Sequence, residues 1–181
     1  MRILIAGDIH GRLSPAKTLG NLFLSYRPDR ILLLGDYLYA GPRSALSPDY
    51  DPSGVASLLS KWGKKIIAIR GDCDSRADQK ALSFPMLEDC QVLDIDGFRV
   101  DLIHGDLLTS DIVEVERGDI LMFGHTHVPV LKREDGVVYF NPGSVSFPKR
   151  GSPASFGVFE SNRLELRRLD DQSTFAALLL G

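Results

Sequence analysis

The sequence predicts an α/β protein in which two β-sheets pack face to face with helices outside. Short apolar runs alternate with helix-type periodicity in the first half, the sign of βαβ units and a largely parallel sheet. The second half sets Asp-Gly pairs between β-type runs, the sign of hairpins. At 181 residues, 44% of them hydrophobic, the chain has the size of one globular domain, residues 1–181, with a substantial core.

Taken in order, residues 2–6 form a strand that runs into Gly7-Asp8-Ile9-His10. A helix follows, with Ser14 as its cap, Pro15 at its first position, and Leu19, Leu22, Phe23 and Tyr26 at i, i+3, i+4 and i+7. Pro28 stops it. Residues 30–34 are the next strand, ending at Gly35-Asp36, and the stretch 39–52, rich in Pro, Ser and Asp, reads as a surface loop. A second helix begins after Asp51 or Ser53, aligns Val55, Leu58, Leu59 and Trp62, and ends at Gly63. Strand 65–70 then meets Gly71-Asp72. Beyond it, 91–95 and 98–103 flank Asp96-Gly97, strand 119–123 precedes Gly124-His125-Thr126-His127, and 130–133 and 137–140 flank Asp135-Gly136. Two last runs, 155–160 and 163–169, join at Ser161-Asn162.

Composition narrows the function. With 25% charged residues and a net charge of -3, the chain carries no electrostatic footprint for a nucleic-acid backbone or an anionic membrane. Long nucleic acid is not the expected partner. No apolar stretch approaches the ~20 residues of a membrane span, and the N-terminal run enters a Gly-Asp loop rather than a cleavage site. A soluble, cytoplasmic protein is the expectation. Cys73 and Cys90 do not make a disulfide framework. Neither a phosphate-binding Gly-x-x-x-x-Gly-Lys loop nor a Gly-x-Ser-x-Gly elbow is present, and Ser144 in Asn-Pro-Gly-Ser reads as a turn residue.

All four histidines, His10, His104, His125 and His127, sit just after apolar runs, near an aspartate or another histidine in the same position. Open α/β sheets place ligands beyond the carboxyl ends of their strands. In extended chain, residues i and i+2 point the same way, so Asp8 with His10 and His125 with His127 each present a pair. Seven candidate ligands, Asp8, His10, Asp36, Asp72, His104, His125 and His127, exceed the need of one tetrahedral ion and suit two ions sharing a carboxylate. Mixed Asp and His donors favour borderline or hard divalent ions such as Mn, Fe, Zn or Mg.

Gly7-Asp8-Ile9-His10, Gly35-Asp36, Gly71-Asp72-Cys73-Asp74, His104-Gly105 and Gly124-His125-Thr126-His127 resemble, in order and spacing, the five motifs of the calcineurin-like metallophosphoesterases. Size, Cys73 and Asn141-Pro142-Gly143-Ser144 are most similar to the small YfcE-like phosphodiesterases. The resemblance implies a four-layer αββα sandwich of two mixed sheets flanked by helices. It also implies two divalent ions per chain, manganese first, with iron, zinc, nickel or magnesium as alternatives. Asp8, His10, Asp36 and His127 would hold one ion, with Asp36 bridging; Asp72, His104 and His125 would complete the other. Asp36, His104 and His125 are thus the expected catalytic set for hydrolysis of a small phosphodiester by activated water. Cys73 stands where other members place a general-acid histidine, and Arg12 and Arg43 are candidates to pair with the phosphate.

The chain departs from that pattern twice: Asp72 replaces an asparagine and Asp106 the second histidine of His-Gly-His. With Asp8, Asp36 and Asp72 ionised, two divalent ions keep a formal charge of about +1 instead of +2, which tightens metal binding and weakens capture of an anionic phosphate. Asp74 and Asp106 are candidates to orient the histidines. Two other functions fit the same sequence: a non-catalytic scaffold like the retromer subunit of this superfamily, or a phosphomonoesterase or nucleotidase with the same ions. A homo-oligomer is left open.

Overall fold

The computed structural model describes residues 1–39, 47–107 and 113–181. Three parallel strands, β1 (Arg2–Ala6), β2 (Arg30–Leu33) and β3 (Ile66–Ala68), are linked by α1 (Leu13–Tyr26) and α2 (Pro52–Ser60) as the periodicity predicts. A short helix α3 (Arg76–Gln79) leads to β4 (Cys90–Ile95), β5 (Phe98–Ile103), β6 (Ile120–Met122), β7 (Val130–Glu134) and β8 (Val137–Asn141). The chain then adds β9 (Ser155–Glu160), β10 (Arg163–Arg168) and β11 (Thr174–Leu179). One sheet has the order β11-β10-β9-β1-β2-β3 and the other β4-β5-β6-β8-β7. Both are mixed, and the helices flank them, as the resemblance implies.

The division of strands between the sheets differs from the expected split into a βαβ half and a meander half. The last three strands return to the first sheet, where β9 pairs antiparallel with β1 through Leu4↔Val158. The reason lies in β9, whose first five residues are buried on both faces. Such a strand needs a central place with cover above and below. Its odd and even residues serve the same two cores as β1. Leu4, Ala6, Phe156 and Val158 pack with Leu19 and Phe23 of α1 and Leu59 of α2. Ile3, Ile5 and Phe159 pack between the sheets against Leu102, Met122 and Phe140.

The hairpins follow turn chemistry. Asp96-Gly97, Asp135-Gly136 and Ser161-Asn162 all have two successive positive φ angles, the left-handed pair that matches strand twist. The cap of α1 is a correction. Ser14 lies inside the first turn, and its N–H and Oγ–H donate to Asp49 of the following loop. A carboxylate outside the helix, 35 residues away in sequence, does the capping. Asp51 caps α2 by accepting from the Gly54 N–H at 2.8 Å. Trp62 falls just past α2 but still meets Phe23 edge to face, with ring centroids 5.7 Å apart.

Candidate metal centre

Because β1, β2 and β3 are mutually parallel and β5 is parallel to β6, their carboxyl ends deliver the five motifs to one edge of the sandwich. The loops are tied to one another there. The Asp8 N–H donates to the Gly35 carbonyl, those of Ile9 and His10 to the Asp36 carbonyl, and that of Gly124 to the His104 carbonyl. Two glycines make the approach possible. A Cβ on Gly71 would sit 2.1 Å from Asp36 Oδ1, and one on Gly35 would sit 2.6 Å from His104 Nδ1.

The paired ligands are not in extended chain, which corrects the geometry expected for i and i+2. Asp8, His10, Asp36, His125 and His127 all have φ between 51° and 59°. Each is a left-handed residue with a side chain, a conformation that costs about 1–2 kcal/mol. The turns so formed, rather than strand alternation, aim both members of each pair inward.

All seven predicted ligands converge. Asp8, His10, Asp36 and His127 form one group, and Asp72, His104 and His125 a second, with the donor atoms of each within 4.8 Å of one another. Asp36 joins them. Its Oδ1 accepts the Cys73 N–H at 3.0 Å, which leaves Oδ2 placed 3.4 Å from His10 Nε2 and 3.5 Å from His104 Nε2. On the second side, Asp72 Oδ1 lies 3.0 Å from His104 Nε2 and 3.3 Å from His125 Nδ1.

The tautomers follow from the backbone. Nδ1 of His10, His104 and His127 faces the carbonyls of Tyr39, Leu34 and Phe147 at 2.8, 2.7 and 2.8 Å. A carbonyl can only accept, so each Nδ1 carries a proton and each Nε2 of a neutral ring offers a lone pair. His10 and His127 then aim Nε2 lone pairs at each other across 3.2 Å. Such facing acceptors call for a cation between them.

Electrostatics point the same way. Asp8 is fully buried, and neither of its carboxylate oxygens has a hydrogen-bond partner. Burial pushes its pKa up to about 8. Burial likewise holds His127 down to about 4, as a neutral ligand. Against the opposing effect of burial, the hydrogen bond and charge shared by Asp36 and His104 lower the carboxylate and raise the imidazole. In the metal-free protein the His104 proton thus balances the shared carboxylate, a place a divalent ion takes when ligands deprotonate. A donor set of three carboxylates and four imidazoles, with a buried orphan carboxylate among them, fits divalent metal.

The calcineurin-like phosphoesterase superfamily domain matches residues 1–163 of the chain. The chain belongs to this superfamily. It is 39% identical to phosphodiesterase YfcE of Escherichia coli K12 over 182 aligned residues, covering all of this chain and 99% of YfcE. The solved structure of the E. coli phosphoesterase YfcE superposes with a TM-score of 0.95 at 38% identity over the full length of both chains. The zinc complex of Vps29 from Entamoeba histolytica, at 21% identity and a TM-score of 0.64 over the full length of both, shares the fold. No helix among the described residues is long and apolar enough to cross a membrane.

In this calcineurin-like phosphoesterase the other predicted residues have specific places. Cys73 stands beside Asp36 and Asp72; burial and those two charges hold its thiol up to about 12. Its Sγ also falls within ligand distance of the Asp36 and Asp72 carboxylates, a third group of potential donors. The Arg12 guanidinium lies 5.4 Å over the Phe147 ring, which meets His10 edge-on with centroids 5.6 Å apart. Arg43 lies outside the described residues, as do 40–46 of the loop that contains it. Asp106 is exposed and makes none of the described bonds to the histidine rings.

Asp74 does not orient a histidine either. Its buried carboxylate accepts the N–H groups of Asp36, Tyr37 and Gly71 at 2.7, 2.9 and 2.8 Å, and so locks the Asp36 loop to the Asp72 loop. Residues 141–147 do the same for the first subsite. Asn141 donates to the Gly124 carbonyl, Ser144 to the Asp8 carbonyl and Ser146 to the Ile9 carbonyl. With the Phe147 carbonyl on His127, this segment braces two ligands, Asp8 and His127, and two residues next to ligands, Ile9 and Gly124, a role the turn reading of Ser144 only touched.

Proposed function

We propose that the protein is a phosphodiesterase that hydrolyses a small phosphodiester with two divalent ions, one at each subsite. The observation behind this reading is the single Asp36 oxygen placed between two groups of donors. Divalent ions held there would supply an activated water and neutralise charge developing on phosphate oxygens. Manganese suits the oxygen and nitrogen donors, and iron, zinc, nickel and magnesium are the alternatives.

The chain's own residues do the rest. Tyr39, Leu34 and Phe147 fix the imidazoles through their carbonyls, so His10, His104 and His127 need no reorientation to bind. Arg12, two residues after His10, is the candidate to meet a phosphate oxygen, and Cys73 to hold a proton for the leaving alkoxide. Identity of 39% to a phosphodiesterase over the whole chain, against 21% to Vps29, favours catalysis over a binding scaffold. Phosphomonoesters present the same oxygens and are expected as slower substrates.

The test is hydrolysis of bis(4-nitrophenyl) phosphate by manganese-loaded protein, with and without chelator. Chelator-sensitive turnover supports the reading. Absence of turnover by fully loaded protein on any phosphodiester moves the scaffold reading to the front.

A further inference from the structure

Between the start of α1 and the end of β10 lies a cleft of about 530 Å³ that the proposed reaction does not yet use. Strand pairing sets its position. Strand β10 is antiparallel to β9, which is antiparallel to β1, so the end of β10 emerges at the same edge as Asp8 and His10. The residues that follow it face the first turn of α1 across the cleft. Pro15, Val145, Ala154 and Leu169 give it apolar walls, and Arg12 and Arg168 stand at its rim.

Arg12 connects this cleft to the metal centre. It comes two residues after His10 and stacks on the Phe147 ring that touches His10. Its guanidinium is loosely held: Nε pairs with Asp49 Oδ2 at 3.5 Å without hydrogen-bond geometry, and the bond from Nη1 to the Ser146 carbonyl is long at 3.4 Å.

We infer that the cleft receives the retained ester arm of the substrate, and that this arm is an uncharged, ring-bearing group. The inference rests on the phosphodiesterase reading. A phosphodiester has two arms, of which one leaves while the other stays attached to phosphorus and needs a place on the rim. The volume falls within the roughly 300–1,000 Å³ of small-ligand sites, and half of the lining residues, Pro15, Val145, Pro153, Ala154 and Leu169, are apolar. Guanidinium planes stack on flat rings, and those of Arg12 and Arg168, which each lie over one ring of the protein, Phe147 and Phe175, have a second face to offer. The rim is not a second phosphate site, because Asp49 lies 3.5 Å from Arg12 and Asp170 shares the rim with Arg168.

The test compares methyl and 1-naphthyl 4-nitrophenyl phosphate, which share a leaving group and differ in the retained arm. Wild-type protein should favour the naphthyl ester by about tenfold in kcat/KM, from burial of the ring. Thr18→Trp fills the cleft from α1 and should bring the ratio near one; Arg168→Ala should lower it about threefold. The ratio is insensitive to partial loss of folded or metal-loaded protein. A wild-type ratio near one, or an unchanged ratio in Thr18→Trp, overturns the inference. If no diester is turned over, the phosphodiesterase reading fails separately, and fluorescence titration with 1-naphthyl methyl phosphate reads the cleft directly. Binding that Thr18→Trp abolishes then sustains the cleft, and binding that is absent or insensitive to Thr18→Trp overturns it.

Discussion

Replacing Asp72 by asparagine keeps the side chain's shape while removing one negative charge from the second subsite. Its Oδ1 lies 3.0 Å from His104 and 3.3 Å from His125, and the side chain is 42% exposed. A unit charge about 4 Å from the ions is worth about 4 kcal/mol at an effective dielectric near 20 and about 1 kcal/mol in water. Exposure places this residue in the lower half of that range, about 1–2 kcal/mol, or about five- to thirtyfold. The sign differs for the two measurable quantities. Metal affinity should fall by that factor, because one anion fewer faces the ions. Turnover of the anionic diester should rise by a similar factor, because the loaded site returns to a formal charge of about +2. The assay is kcat/KM for bis(4-nitrophenyl) phosphate at metal saturation, with bound ions counted and metal Kd measured by chelator competition. Equal or lower kcat/KM at full occupancy would refute the reasoning and show that the aspartate is no handicap.

Three other substitutions probe the supports of the site. Gly71→Ala drives a Cβ into Asp36, so bound metal and turnover should both collapse, by at least a hundredfold for turnover, as metal counting and kinetics will show. Asp74→Ala leaves three buried N–H groups without their acceptor and should cost about 3 kcal/mol or more, read as a lower urea midpoint of the metal-free protein. His125→Ala removes one donor from the second subsite and should take the bound ions from two toward one with loss of activity. Unchanged metal content and activity in that variant would sink the two-ion assignment.

The site was legible in the sequence because its ligands are rare residue types in a repeated position. Asp8, Asp36, Asp72 and the four histidines each follow an apolar run, and parallel strands bring such ends to one edge. The hairpins were legible for a local reason, since Asp96-Gly97 and Asp135-Gly136 tolerate left-handed backbone. What brings the ligands to their final aim was not legible. The carbonyls of Tyr39, Leu34 and Phe147 have no residue-type signature, because every residue has one. The left-handed turns at Asp8, His10 and His127 use residue types that tolerate that backbone, but the loop-to-loop bonds that accompany them join residues distant along the chain. The three amides gathered by Asp74 and the cap supplied by Asp49 join residues distant along the chain. Strand β11 escaped for another reason: Thr-Phe-Ala-Ala-Leu-Leu lacks alternation, and its alanines and leucines favour helix in isolation. Pairing with β10 overrides that preference. The return of β9 to the first sheet depended on which edge of β1 was free, a tertiary fact that spacing along the sequence does not encode.

The central claim is that one chain binds two divalent ions around the shared Asp36 oxygen and needs both for hydrolysis. The most direct test titrates metal-stripped protein with manganese, counting bound ions and measuring bis(4-nitrophenyl) phosphate turnover in the same samples. The account predicts saturation at two ions per chain, with turnover rising as the second ion binds. Saturation at one ion, or full turnover once the first is bound, would contradict it.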